Sequence, residues 1–455
     1  MIRGEGCRRV LYTGMRLIDG CGGAPVENAA IFAEDGIIKY AGDVRDISAV
    51  GGTWGTSAAG AARHGCAPGG AWNCHAAGVE AVDLTGKTVV PGLVDCHVHL
   101  TFDATTKCLQ NAASRTDAEN AVECAANLTD ILLDGAAFFR EMGSKNGVAI
   151  LFRDAVKNGK VAGPGFLACG EIIAMTGGHC HMIAREADGA PEVAKAVREQ
   201  ARMGADFIKF MASGGIHTPG NILESAQLTA EELAAGVAEA HRLGRKAAAH
   251  ALSPAGIKNA LLAGVDSLEH GCMLDEADVE QMLKHGTYYV PTLNAIKVIA
   301  DSAAGGVASP TESATASPIE SATASQMESA TASPMESAFF PASMLDKAKR
   351  CAERHEQSFR LALRGGVKIA FGTDRGTSLN SHSDAGAREL ALMERYGMPP
   401  MDVMASATKT ASELLGIGGA YGTIAAGKRA VFIALDKNPL DGMSAFSGSK
   451  TLYGV

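Results

Sequence analysis

The sequence lacks any unbroken apolar stretch of the roughly eighteen residues that a membrane-spanning helix requires, although hydrophobic residues fill 47% of its 455 positions. A membrane span is therefore not expected. The opening text, MIRGEGCRRVLYTG, lacks the apolar segment of a secretory signal, so a cytoplasmic protein is expected. An excess of basic charge is missing too: 41 Lys and Arg against 50 Asp and Glu leave a net charge of -9, which offers nucleic acid no attracting field. The chain also lacks a cysteine framework. Its 11 cysteines are odd in number and scattered through settings such as LVDCHV and EHGCML, the pattern of free thiols in a reducing compartment. Cys66, Cys74 and His75 cluster in a Gly/Ala-rich stretch, but their spacing fits no zinc module, and they read as loop residues.

What is present alternates. From Val10 to Asp43, short β-branched runs broken by DG, GG and EDG predict a small antiparallel unit. The segment 51–78 has no periodicity and reads as an irregular insert, after which VEAVDLTGKTVVPG resumes strand-like text. Between Val90 and Leu415 eight apolar runs follow one another: TVVPGLVDCHVHL, AAFFREMG, GFLACGE, DFIKFMASGG, KAAAHAL, DSLEHGC, TYYVPTL and KIAFGTD. Helical text separates several of them, for example Thr229 to Leu243, where Thr229 and Glu232 stand at capping-box spacing. This predicts an α/β fold, a TIM (β/α)8 barrel over 90–415. Residues 1–89 and 416–455 are both rich in short strands and turns, and are expected to pair into one small discontinuous domain. The insert 309–338, with SPTESATA, SPIESATA and SQMESATA at an eight-residue period, cannot bury enough apolar area to offset its ordering and predicts an exposed loop without a catalytic role.

The polar residues that close these runs carry the chemistry, because every strand of such a barrel ends on the same face. His97 and His99 close the first run. Two positions apart on a strand, their imidazoles point to one side and can hold one metal ion. His250 ends the fifth run, His270 the sixth, and Asp374 the eighth, where a carboxylate can ligate a metal and exchange a proton with bound water. Lys209 ends the fourth. A protonated lysine beside a dication is repelled, which leaves two readings: an ion pair with a neighbouring acid, or a desolvated free amine that adds carbon dioxide to give a carbamate bridging two cations.

PGLVDCHVH, IKFMASGG, AAAHA, SLEHG, FGTD, AREL, SATKTASELLG and GTIAAGKRA together resemble the amidohydrolase superfamily, in its imidazolonepropionase-related and prolidase-like branch. The resemblance covers nearly the whole chain outside the two inserts. It implies a β-sandwich built from both chain ends beside the barrel, a homo-oligomer, and two zinc ions sharing a carboxylated lysine. His97, His99 and Asp374 would hold the buried metal, Lys209 would bridge, and His250 and His270 would hold the second. TGGH, at Thr176 to His179, matches a loop that touches substrate, which makes His179 a substrate residue, whereas His181 reads equally as a loop histidine. Two departures bear on substrate preference: Arg429, Ala430 and Val431 replace an Ala-Asp-Leu of relatives, and Leu228 follows Gln227 where an aromatic residue is common. The implied reaction is hydrolysis of a C–N bond in a small substrate, such as a dipeptide or N-acyl amino acid, by a metal-bridged hydroxide, with Asp374 moving the proton. His179 with Arg375 or His382 would receive a substrate carboxylate, although Arg375, next to Asp374, equally suits a structural ion pair. Cyclic-amide hydrolysis, heterocycle deamination and a barrel without catalysis are the alternatives. Lys209 argues against a mononuclear deaminase, and the full ligand set against loss of catalysis.

Overall fold

Alternating side chains at the start of the chain form the first sheet. In the computed structural model, which describes residues 8–49, 79–302 and 340–454, β1 (Arg9–Leu17) pairs antiparallel with β2 (Val26–Glu34), and β2 with β3 (Ile37–Asp43). The β2–β3 connection is Asp35-Gly36, with φ of 50° and 74°, the left-handed pair that a tight hairpin requires. β4 (Val79–Asp83) and β5 (Thr88–Pro91) both run parallel to β1. Phe432–Leu435 adds antiparallel to β5, and Lys450–Tyr453 antiparallel to Phe432–Leu435. Both chain ends thus share one sheet, with a core of its own around Met15, Ile31, Val89 and Phe432. The first apolar run of the sequence is split at Gly92: β5 belongs to this sheet and β6 (Leu93–Val98) to the next. Gly92 is needed there, since a Cβ would lie 2.5 Å from that of Ala137.

The following strands are parallel and take up the other apolar runs. β6 pairs with β7 (Ala136–Glu141), and β7 with β8 (Gly165–Ala168). The third run continues, after a break at Cys169–Glu171, as β9 (Ile172–Ala174), to which β10 (Ala184–Glu186) adds. β9 pairs with β11 (Phe207–Met211), which continues the ladder to β12 (Lys246–Ala251), β13 (Ser267–His270) and β14 (Tyr288–Val290). β6, β7 and β11 are buried at every position, as parallel strands covered on both faces must be. The eighth run, KIAFGTD, with the arginine that follows it, makes isolated parallel bridges instead of a continuous strand: Tyr289 with Ile369 on one side and Val98 with Arg375 on the other. The result is a TIM-barrel-like α/β fold.

Helices connect these strands, among them Ala230–Arg242, where the Thr229 hydroxyl accepts from the Glu232 amide and the Glu232 carboxylate accepts in return from the Thr229 amide. After β14 the chain forms two helices, Leu293–Ser302 and Ala342–Gly365. The repeat insert 309–338 falls between them and, like the insert 51–78 with Cys66, Cys74 and His75, lies outside the described residues. Among the described residues no helix is long and apolar enough to cross a membrane.

Candidate active site

A cavity opens at the strand ends, and its wall includes all six residues expected to hold metal, His97, His99, Lys209, His250, His270 and Asp374, together with His179. Residues separated by up to 277 positions in the chain meet there because parallel strands share one direction. The imidazoles form a continuous row. Ring centroids lie 5.4 Å apart between His99 and His97, 4.9 Å between His97 and His270, 4.7 Å between His270 and His250, and 4.6 Å between His250 and His179.

At one end of the row, ligand atoms of His97, His99 and Asp374 lie within 4.8 Å of one another. Asp374 Oδ1 stands 3.4 Å from His97 Nε2 and 3.3 Å from His99 Nε2, without a hydrogen bond to either. Burial pushes both imidazoles well below their ordinary pKa, so each presents a lone pair at neutral pH. Three buried electron-pair donors facing one point repel each other unless a cation stands between them, and this donor set fits a divalent metal ion. Lys209 is buried at β11, where desolvation lowers its pKa against the opposing charges of Glu269 and Asp374. Burial raises Asp374 well above the ordinary carboxylate range, with the Lys209 charge opposing it.

Buried polar partners hold the row in place. His97 Nδ1 donates to Glu269 Oε2 at 2.8 Å, which directs Nε2 toward Asp374. Glu269 is held in turn by Arg140 at 2.8 Å and by the Ser267 hydroxyl at 2.6 Å, and Arg140 also donates to Cys96 O at 2.7 Å. His270 Nδ1 meets the Thr292 hydroxyl at 2.7 Å, His250 Nε2 meets Gly214 O at 3.2 Å, and His179 Nδ1 meets the Thr218 hydroxyl at 2.8 Å. Strict strand alternation would send Glu269 and His270 to opposite faces. His270 has φ 68°, a left-handed conformation uncommon outside glycine, and this break in alternation lets both side chains reach His97. Asp374 has φ 56°. Strain of this kind is held only where surrounding structure enforces it, and here it falls on two of the six expected ligands.

Arg375 and His382 do not line this cavity. Arg375 is fully buried, with Nε 2.9 Å from Asp95 and Nη1 3.1 Å from Asp134, and it donates to His382 O at 2.8 Å. Its Nε and Nη1 are paired with these internal acids, so of the two readings of this residue the geometry favours the ion pair over the substrate contact. His382 Nε2 lies 3.0 Å from Phe102 O. The cavity wall holds residues that pattern reasoning did not single out: Phe102, stacked 4.6 Å from His99, Cys180, Ile216 and His217. Glu269 and Arg140 were equally unforeseen. A charge buried in the middle of an apolar run, as in AAFFREMG and DSLEHGC, was the available signal for both.

Known proteins resemble this chain in sequence and in fold. Residues 88–455 match the amidohydrolase family model. The chain is 28% identical over 476 aligned residues to ochratoxinase of Aspergillus niger, covering 98% of this chain and 85% of that protein. A crystal structure of a Xaa-Pro dipeptidase with methionine bound in its active site superposes with a TM-score of 0.76 at 29% identity, over 97% of each chain. A prolidase bound to N-methylphosphonate-L-proline superposes with a TM-score of 0.75 at 25% identity, over 97% of this chain and 95% of the other. This chain belongs to the amidohydrolase family, as a prolidase-like hydrolase of carbon–nitrogen bonds.

Proposed function

We propose that the chain hydrolyses the amide bond of dipeptides or N-acyl amino acids at a two-zinc site, in a closed (β/α)8 barrel over 90–415, flanked by a β-sandwich of 1–89 and 416–455. The observation that carries this reading is the convergence of the His97, His99 and Asp374 donors beside Lys209, His250 and His270 in one buried wall. His97, His99 and Asp374 would hold one ion and His250 and His270 the other, with Lys209 between them as a carbamate. The similar ochratoxinase and Xaa-Pro dipeptidase support the substrate class.

Bound cations would supply hydroxide at neutral pH and polarise the substrate carbonyl. The chain's own residues do the rest. Glu269 keeps His97 in the tautomer whose Nε2 faces the cavity. Asp374 accepts a proton on Oδ2, the carboxylate oxygen that does not face the His97 and His99 Nε2 atoms, and returns it to the leaving nitrogen. His179, fixed through Nδ1 by Thr218, stands at the end of the imidazole row and contacts the substrate. Lys209 accommodates a carbamate because burial already disfavours its ammonium form.

Metal analysis tests the site. The wild type is expected to carry two zinc ions per chain after reconstitution in bicarbonate, and Lys209→Ala to lose at least one. A wild type that stays metal-free overturns the proposal, and a metal-loaded protein that cleaves none of a panel of dipeptides and N-acyl amino acids overturns the substrate class.

A further inference from the structure

Beside the catalytic cavity lies a second, larger one, and the two share Ile216 and His217 as a common wall. The second cavity is positively charged. Lys107, immediately before the helix Cys108–Ser114, and Lys347, on the helix Ala342–Gly365, both line it, and no carboxylate does so among the described residues. Lys347 Nζ lies 3.3 Å from Gly215 O and 3.4 Å from Thr218 O, while neither lysine makes an ion pair among the described residues. The nearby acids are engaged elsewhere: Asp103 by Arg115, Asn111 and Thr105, and Glu224 by Arg350. On the shared wall, His217 Nε2 is buried without a hydrogen-bond partner. In a chain of net charge -9, a chamber lined by two ammonium groups and, among the described residues, no acid runs against the overall field.

We infer that this second cavity is the subsite for a carboxylate at the far end of an elongated substrate, held by Lys107 and Lys347 while the amide lies in the first cavity. The assignment rests on the amide-hydrolase reading above for the identity of the other end. It moves carboxylate recognition from Arg375 and His382, which do not line the first cavity, to two lysines that make no ion pair among the described residues. Ile216 and His217 line both chambers, so a substrate reaching from one to the other must extend past these two residues, and the subsite selects for length as well as charge.

The test is calorimetric binding of 4-phenylbutyrate and of its uncharged counterpart 4-phenylbutanol, neither of which has an amide to cleave, to the metal-loaded protein. Wild type is expected to bind the acid about ten-fold more tightly, the scale of a charged hydrogen-bonding contact. Lys107→Met/Lys347→Met is expected to bring the two ligands to parity with metal content unchanged, and Lys107→Arg/Lys347→Arg to keep the preference. Equal binding by wild type overturns the inference. So does a preference that survives in the double Met variant, which would place the carboxylate on the metal ions instead. Absence of amide turnover by wild type would overturn the hydrolase reading and leave this binding comparison intact, so the two failures are distinguishable.

Discussion

Glu269 Oε2 accepts a hydrogen bond from His97 Nδ1 at 2.8 Å, while Glu269 Oε1 receives Arg140 at 2.8 Å, so one fully buried carboxylate ties the first metal-type histidine to a barrel arginine. This pairing settles which nitrogen of His97 faces Asp374. Without the carboxylate charge, the imidazole loses both its fixed tautomer and part of its basicity as a ligand.

Glu269→Gln is therefore expected to weaken metal binding by about 10–100-fold, the usual cost of removing such a partner. The fold should be retained, because the amide still fills the space and can accept from Arg140. Titration of the metal-free protein with zinc against a competing chelator measures the change. Unaltered affinity would mean that His97 is held by packing alone.

How much of this was legible from the sequence depends on the kind of interaction. The six metal-type residues could be read because each is a polar residue set within or at the end of an apolar run, and chain order then places them on one face. The pairing of the chain ends was legible for the same reason, as short strands without partners nearby. The role of Arg375 was not. Its neighbour Asp374 faces the cavity, but the guanidinium lies between Asp95 and Asp134, more than 240 positions away in the chain, and Asp134 also receives Lys450 at 2.6 Å from the last strand. Local pattern carries strand direction but not the partner of a buried charge, since that partner is chosen by tertiary packing. The left-handed turns at His270 and Asp374 were equally hidden, because neither residue type announces a positive φ.

Glu141, at the end of β7, supplies a pH prediction. Burial pushes its carboxyl up to about 8 from a usual 4.5, against the Gly143 amide, which donates to Oε1 at 3.1 Å, and the Leu100 amide. The folded state keeps the proton that the unfolded chain releases near pH 4.5, so stability is full below that pH and is lost as pH rises to about 8. Glu141→Gln mimics the neutral acid and removes this dependence. In metal-free protein, the stability of the variant relative to wild type should rise between pH 4.5 and 8, by up to ~5 kcal/mol at about 1.4 kcal/mol per pKa unit, and level off above. Urea unfolding across that range measures it; a difference independent of pH would mean that Glu141 is ionised in the folded protein.

The last prediction concerns Gly215, which follows the β11 strand and packs flat against a histidine. A Cβ at this position would lie 2.2 Å from His179 Nε2, 2.3 Å from Cε1 and 2.4 Å from Cδ2, so the ring rests directly on the glycine. His179 cannot retreat freely, because its Nδ1 is bonded to Thr218 and its other face meets His250 at 4.6 Å between centroids. Gly215→Ala must push the ring by about an ångström, a displacement that costs on the order of 100-fold in rate where a side chain positions a reacting group. His179 is not among the six metal-type residues, so zinc content should stay at the wild-type level while kcat/KM for amide substrates falls. Loss of zinc in step with activity would place His179 in the metal centre instead of beside the substrate, and normal activity would remove it from the active site altogether.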